Sequence, residues 1–279
     1  MNAIGTNIAA MRAGSAFRNA DRLRAAAAER LATGSRIGSA RDDAAGLSIA
    51  TGMTSRIRGQ AQAIRNIADG MSLARTAQGA LEGMATNLQR IRELAVQSAN
   101  GTIADDQRAF LQEEVTMLRE QAMSLMLDTR FNGRQLFGES TPLPAPAVGY
   151  FWGPSTITIQ TGSEAGDTAT SAVSLAFLPV FDVSTRAGAL QALTRADGSL
   201  LDMGRAAAEY GAFENRLASA AEIAQGTATS LSDARSRIMD ADYSSETMHL
   251  AKQTVLANAS SSMLASANMQ ARNVLALLR

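Results

Sequence analysis

Cysteine is absent from the 279 residues, which removes disulfides, thiolate nucleophiles and most structural zinc sites. Aromatic side chains make up only 4% and tryptophan occurs once, which is little for a compact core. No stretch reaches 18 apolar residues without a charge, so no membrane insertion is expected. Neither sign of charge dominates. The 26 basic and 26 acidic side chains cancel to +0, whereas a dedicated nucleic-acid binder would need a surplus of Lys and Arg over phosphate. Residues 1–17 lack the basic start, apolar centre and cleavage site of a secretory signal. That fits either a cytoplasmic protein or export by a route without signal cleavage.

Catalytic patterns are missing too. The sequence holds no H-E-x-x-H pair, no G-x-S-x-G elbow and no G-x-x-x-x-G-K-[ST] loop. The single histidine, His249, has Glu246 as its nearest carboxylate one turn away, and is expected at a surface or interface. Glu113-Glu114 and Asp42-Asp43 are adjacent pairs, not two carboxylates converging on a pocket. Neither an enzyme nor a cofactor is expected. Gln89-Arg90-Ile91-Arg92-Glu93 reads as a basic patch or, better, as a helix face laced by ion pairs with Glu82 and Glu93.

What the chain has is helix-forming sequence. No proline or glycine interrupts Ile238–Arg279, a run of Ala, Ser, Met, Leu and Asn that reads as one helix of about 60 Å. Leu256, Met263, Gln270 and Leu277 recur at sevens, with Ala259 or Ser260, Ala267 and Val274 between them, giving a thin seam. A helix so poor in large apolar groups needs partners. Its partners are expected to be the N-terminal helix, striped by Ile4, Ile8, Met11, Phe17, Ala20, Leu23, Ala27 and Leu31, and then other copies of the chain. Thr33-Gly34 supplies a stop. The glycine-dotted GSRIGSARDDAAG of 34–46 reads as a linker in which Asp42 and Asp43 can cap the next helix.

A second helix is predicted over roughly Ala44 to Ser98. Its six glycines suggest close approach of neighbours, with a kink as the alternative. After Asn100-Gly101, Thr102 or Asp105 can cap a third helix to about Leu127, with Phe110, Leu111, Leu118 and Leu125 on its buried side. All five prolines fall between Phe131 and Asp182, beside the β-branched alternation Thr156-Ile157-Thr158-Ile159. Gly162 and Ala165-Gly166-Asp167 break that strand, and Val173, Leu175, Phe177 and Val180 offer a second. Helix signals return weakly at Ala187–Ala196 and firmly from Leu200 to about Ser232.

The fold expected is mainly α: a long antiparallel helical rod with a terminal coiled coil and a small β-rich insert. Its divisions are 1–33 with 240–279 as a discontinuous inner coiled coil, 34–46 with 233–239 as a spoke, 47–130 with 183–232 as an outer helical core, and 131–182 as an outward-facing insert. Such a mirror-like order suits a rod-shaped building block.

Several motifs, in order along nearly the whole chain, resemble bacterial flagellin. They are Ile4-Gly5-Thr6-Asn7, then Leu31–Ile37 with Arg41-Asp42-Asp43-Ala44-Ala45-Gly46-Leu47. The run Leu88–Thr102, Phe131-Asn132-Gly133, Asn215-Arg216-Leu217, Ala234–Ile238, Asp240–Tyr243 and Asn273-Val274-Leu275 come after these. The resemblance implies a subunit that self-assembles into the extracellular flagellar filament after unfolded export, serving motility. Ile4, Ile8, Met11, Leu256, Met263, Val274 and Leu277 would lie in the terminal coiled coil and assembly contacts, and Arg41, Asp42 and Asp43 in the spoke. Implied partners are a homopolymer, the flagellar secretion apparatus, an export chaperone, hook-associated junction proteins and cap proteins. Arg90, Leu94 and Glu114 would form a subunit interface, and in the monomer a contact for the vertebrate innate immune receptor for flagellin. The rivals are a hook–filament junction protein, an adhesin using Trp152 and Tyr150 of the insert, and a coiled-coil scaffold unrelated to motility.

Overall fold

The computed structural model describes residues 6–137, 140–142, 150–152, 155–173, 175 and 178–277. Among these are five helices: α1 (Ile8–Thr33), α2 (Ala44–Ala99), α3 (Asp105–Asp128), α4 (Arg186–Met239) and α5 (Tyr243–Leu277). Between α3 and α4 lie three antiparallel two-stranded pairs: β1 (Arg130–Phe131) with β2 (Arg134–Gln135), β3 (Ser140–Pro142) with β4 (Tyr150–Trp152), and β5 (Ser155–Gln160) with β6 (Thr168–Val173). The chain is mainly helical with a small antiparallel β insert. It divides into two compact units, Met1–Ile57 with Thr229–Arg279, and Arg58–Ala228.

In the first unit α1 and α5 pair antiparallel. Asn7 Nδ2 donates to the Ala267 carbonyl at 2.9 Å near one end, and Arg30 NH1 reaches Glu246 Oε1 at 3.1 Å near the other. The Asn7 side chain also accepts from Ala10 N–H at 2.9 Å, capping α1. Gly34 ends the helix at φ 66°, a left-handed position that glycine adopts without steric cost. Residues 34–43 are non-helical, so α2 begins at Ala44, inside the segment expected to be linker. On the return strand 233–239 is continuous α4 helix, because nothing from Asp233 to Met239 is a glycine or proline. For the same reason Ile238 and Met239 finish α4 instead of opening α5, and the chain turns only at Asp240-Ala241-Asp242.

In the second unit a continuous core joins α2 (Ile67, Leu81, Met84, Leu88, Ile91, Leu94), α3 (Val115, Ala122, Met126) and α4 (Met203, Tyr210, Phe213, Leu217) to Ile157 and Val173 of the β5–β6 hairpin. Ion pairs Arg75–Glu214 at 2.7 Å and Arg92–Asp197 at 2.6 Å set α4 antiparallel to α2. Three α2 glycines of this unit lie where a neighbour comes close: a Cβ on Gly59 would meet Ser163, one on Gly70 would meet Ile159 and Leu217 at 3.0 Å, and one on Gly83 would meet Leu125 at 3.1 Å. Gly52 and Gly79 meet nothing, and α2 runs on through them.

Several expectations are corrected in this unit. The buried side of α3 is Arg108, Val115, Ala122 and Met126, with Leu111, Leu118 and Leu125 half-buried on its shoulder. Phe110 is 72% exposed. Neither Thr102 nor Asp105 caps this helix: Ala104 holds the cap position, and Gln107 Oε1 accepts its N–H at 3.3 Å. The weak signal at Ala187–Ala196 and the firm one from Leu200 belong to a single helix, Arg186–Met239, which runs past Ser232. The buried row Ala189, Ala192, Ala196, Ser199, Met203, Ala206 and Tyr210 passes straight through Gly198, so packing outweighs the cost of one glycine, about 1 kcal/mol.

The second strand of the large hairpin is β6, Thr168–Val173; of the expected strand residues only Val173 belongs to it, and Phe177 lies outside the described residues. A tight loop places it there: Thr161 N–H donates to the Asp167 carbonyl at 2.7 Å, and Asp167 Oδ2 accepts from Glu164 N–H at 3.0 Å. Among the described residues the segment 178–183 has no strand partner, and it is strapped by side chains. Gln112 donates to the Phe181 carbonyl at 3.0 Å and accepts from Val183 N–H at 2.6 Å, while Arg119 and Arg195 donate to the carbonyls of Pro179 and Val180.

Candidate assembly surface

The terminal helices meet through small side chains. On α1, Gly14, Ala20 and Ala27 are buried, flanked by half-buried Ala10, Phe17 and Leu31. On α5 the inward positions are Leu250, Gln253, Ala257, Ser260, Leu264, Ala267 and Ala271, stepping three and four residues in turn. The seam is therefore set one residue later than the row through Leu256 and Met263. Alanine and glycine let the two backbones approach closely, which a row of larger groups would prevent. The displaced large residues point outward. Ile8, Leu23, Met248, Val255, Leu256 and Met269 are exposed, as are Met11 (67%) and Met263 (65%). Ile4 lies outside the described residues. Val274 and Leu277 belong to the last turns of α5.

At the spoke the two strands of the chain are tied together. Arg36 N–H donates to the Met239 carbonyl at 2.6 Å, Ala241 N–H to Gly34 at 3.0 Å, and Ser35 Oγ to Met239 at 3.1 Å. Asp43 Oδ1 accepts from Gly46 N–H at 2.8 Å and so caps α2. Asp42 does not cap the helix. It folds back on Gly38 and Ser39, accepting both backbone N–H groups and the Ser39 hydroxyl. That hydroxyl, followed by the Ser39 backbone N–H, holds the Asp42 carboxyl below its ordinary pKa. Arg41 is exposed. Ile37 is buried against Gly46, where a Cβ would collide with Ile37 and Asp43.

The third group of residues is split by the fold. Arg90 grips Glu114 through Nε at 3.0 Å and NH2 at 2.9 Å, and reaches Glu93 at 3.1 Å. The hydrogen bonds that Arg90 donates to Glu114 and then to Glu93 raise the guanidinium pKa. Both Arg90 and Glu114 face solvent. Leu94 does not: it is 1% exposed and part of the core. Its place in the row Met84, Leu88, Ile91, Leu94 turns it toward the interior of the unit, so it is no surface contact in this fold. Sequence reasoning missed Arg108, a buried cation whose NH2 donates to the carbonyls of Asn100 and Ile103 at 3.1 and 3.0 Å. It pins the turn between α2 and α3, and the only available signal was an arginine spaced seven residues before Val115.

Among the described residues no group of three or more His, Cys, Asp or Glu could hold a metal ion, and no helix is long and apolar enough to cross a membrane. The bacterial flagellin N-terminal helical region matches residues 4–141, and the bacterial flagellin C-terminal helical region matches residues 193–278. The chain belongs to the flagellin family.

Among flagellins, that of Halalkalibacterium halodurans is 36% identical over 261 residues, covering 91% of each chain. The flagellar filament 30.7 kDa core protein of Treponema maltophilum is 32% identical over 260 residues, covering 90% of each. A solved structure described as a flagellar hook-associated protein of Vibrio parahaemolyticus is 16% identical with a TM-score of 0.59, covering 71% of this chain and 100% of that one. At that identity it shows the fold alone. As a flagellin the chain has a structural, filament-forming role, and its place is the extracellular filament of the bacterial flagellum.

Proposed function

We propose that this flagellin leaves the cell unfolded through the flagellar secretion apparatus and polymerises outside it, with α1 and α5 of neighbouring copies burying one another's outward residues. One observation carries the reading: the fully buried positions of the seam are Gly14, Ala20, Ala27, Ala257 and Ala267, with Phe17, Leu31, Leu250 and Leu264 only half-buried, while Ile8, Met11, Leu23, Met248, Val255, Leu256, Met263 and Met269 face solvent. Each such Leu, Ile or Met adds roughly 1.5–3 kcal/mol when buried, so a few contacts per neighbour repeated on a helical lattice suffice for assembly. In this scheme 1–33 with 240–279 forms the inner coiled coil, 34–46 with 233–239 the spoke, 47–130 with 183–232 the outer core, and 131–182 the exposed insert. An export chaperone, the hook-associated junction and cap proteins complete the partners. Arg90 and Glu114 supply a subunit contact and, in the monomer, a surface for the vertebrate innate receptor, with Leu94 acting from beneath as packing.

Purified monomer is expected to form long hollow filaments when sulfate salts strengthen apolar burial or when filament fragments are added as seed. Electron microscopy and sedimentation read the outcome. Protein that stays monomeric under both conditions would sink the proposal, and assemblies that stop at a few copies would favour a junction protein.

A further inference from the structure

Methionine supplies much of the outward apolar surface on the terminal helices. Met11 on α1 and Met248, Met263 and Met269 on α5 are each 59–68% exposed, whereas Met84, Met126 and Met203 are buried in the second unit. The Asn7–Ala267 and Arg30–Glu246 bonds fix the antiparallel register, which puts Met11 level with Met263. Met11 lines an open groove together with Leu264, the chain neighbour of Met263. No cysteine is present to intercept an oxidant first.

We propose that Met11, Met248, Met263 and Met269 are a hydroperoxide-sensitive modification site at which oxidation of the monomer stops polymerisation; this rests on the filament reading. The thioether sulfur attacks the outer oxygen of a hydroperoxide and the O–O bond breaks. The sulfur loses two electrons and becomes a sulfoxide, and the peroxide's remaining oxygen leaves as water after proton transfer (as an alcohol from an alkyl hydroperoxide). A flexible apolar group thereby becomes a polar one. On a subunit interface that sulfoxide must be desolvated, and the exposed Ile8, Leu23, Val255 and Leu256 of the same two helices offer it no hydrogen-bond donor. Methionine sulfoxide reductases reverse the change.

The test treats monomer with hydrogen peroxide, maps sulfoxides by peptide mass spectrometry and then adds seed. Untreated monomer is expected to polymerise, and oxidised monomer to require roughly tenfold or more higher concentration for the same yield. Reductase treatment should restore the yield. A variant carrying Met11→Leu, Met248→Leu, Met263→Leu and Met269→Leu, nearly volume-conserving, should resist peroxide. Met117→Leu, which removes the exposed methionine of α3, should stay as sensitive as the parent. Normal polymerisation of protein shown to be oxidised at all four sites would overturn the proposal, as would undiminished sensitivity of the four-fold variant. If that variant does not assemble, failure of the reductase to restore parent protein counts against the proposal in its place. Untreated parent that never polymerises overturns the filament reading itself.

Discussion

Leu94 and Arg90 are four residues apart and have opposite fates, which decides what each can contribute. Leu94 is enclosed by the core, so Leu94→Ala should lower the stability of the second unit by about 2–5 kcal/mol, seen as a lower denaturant midpoint. Arg90→Ala removes an exposed ion pair with Glu114 and should leave the denaturant midpoint nearly unchanged. Tyr210 is the other telling residue. It is fully buried, its ring meets Phe137 edge-on at 6.4 Å, and its hydroxyl donates to the Leu136 carbonyl at 3.4 Å. Desolvation, with a smaller contribution from the Glu209 charge, pushes its pKa up to about 12. The unfolded phenol ionises near 10, so between about pH 10 and 12 the unfolded chain binds fewer protons than the folded one. Stability therefore falls as pH rises through that window, by roughly 2–3 kcal/mol in all. Thermal melts at pH 9 and 11.5 should show the drop in the parent and a smaller one in Tyr210→Phe.

At the scale of elements, the α1–α5 register can be read chemically because the chain has no native thiol. Ala10→Cys with Leu264→Cys places both thiols on the inward seam, and a short bifunctional maleimide applied to filaments should join them within one chain. Met263→Cys alone points outward and should instead give cross-linked dimers between copies. Denaturing gels separate the two outcomes, and the reverse result would mean that the seam runs through Met263. The sequence showed where most helices begin and end, since Gly34, Asn100-Gly101 and Asp242 are local stop and start signals. Asn132 and Gly133, both at positive φ, form the turn of the first hairpin, where the sequence showed only that helix gives way to the β-rich insert. Nor did the sequence show the whole inward side of α5. Ser260 and Ala267 of the expected seam face inward, but Leu256 and Met263 do not: Leu256 is a larger apolar group than Ala257, so hydrophobicity alone selects it, whereas close approach to α1 selects alanine. Likewise the strap 178–183 uses Gln112, Arg119 and Arg195 from distant elements, which no local pattern encodes.

For the whole molecule the question is what covers the outward row on α5. Lys252 sits within that row, one turn from both Met248 and Leu256, is exposed, and is the only lysine of the chain. Apart from the N-terminal amine it is therefore the sole target for an amine-acylating reagent, which makes it a reporter requiring no substitution. If neighbouring copies bury the row, Lys252 should be acylated readily in the monomer and several-fold more slowly in the filament, measured by peptide mass spectrometry after a short pulse. Its ammonium must then either find a carboxylate on the neighbour or reach solvent along its alkyl stem. A carboxylate partner makes the protection fall as salt is added, whereas simple coverage by apolar groups leaves it unchanged, because Debye screening acts on the ion pair alone. Equal acylation of monomer and filament would mean that this face of α5 stays open to solvent, and that assembly is carried by some other surface.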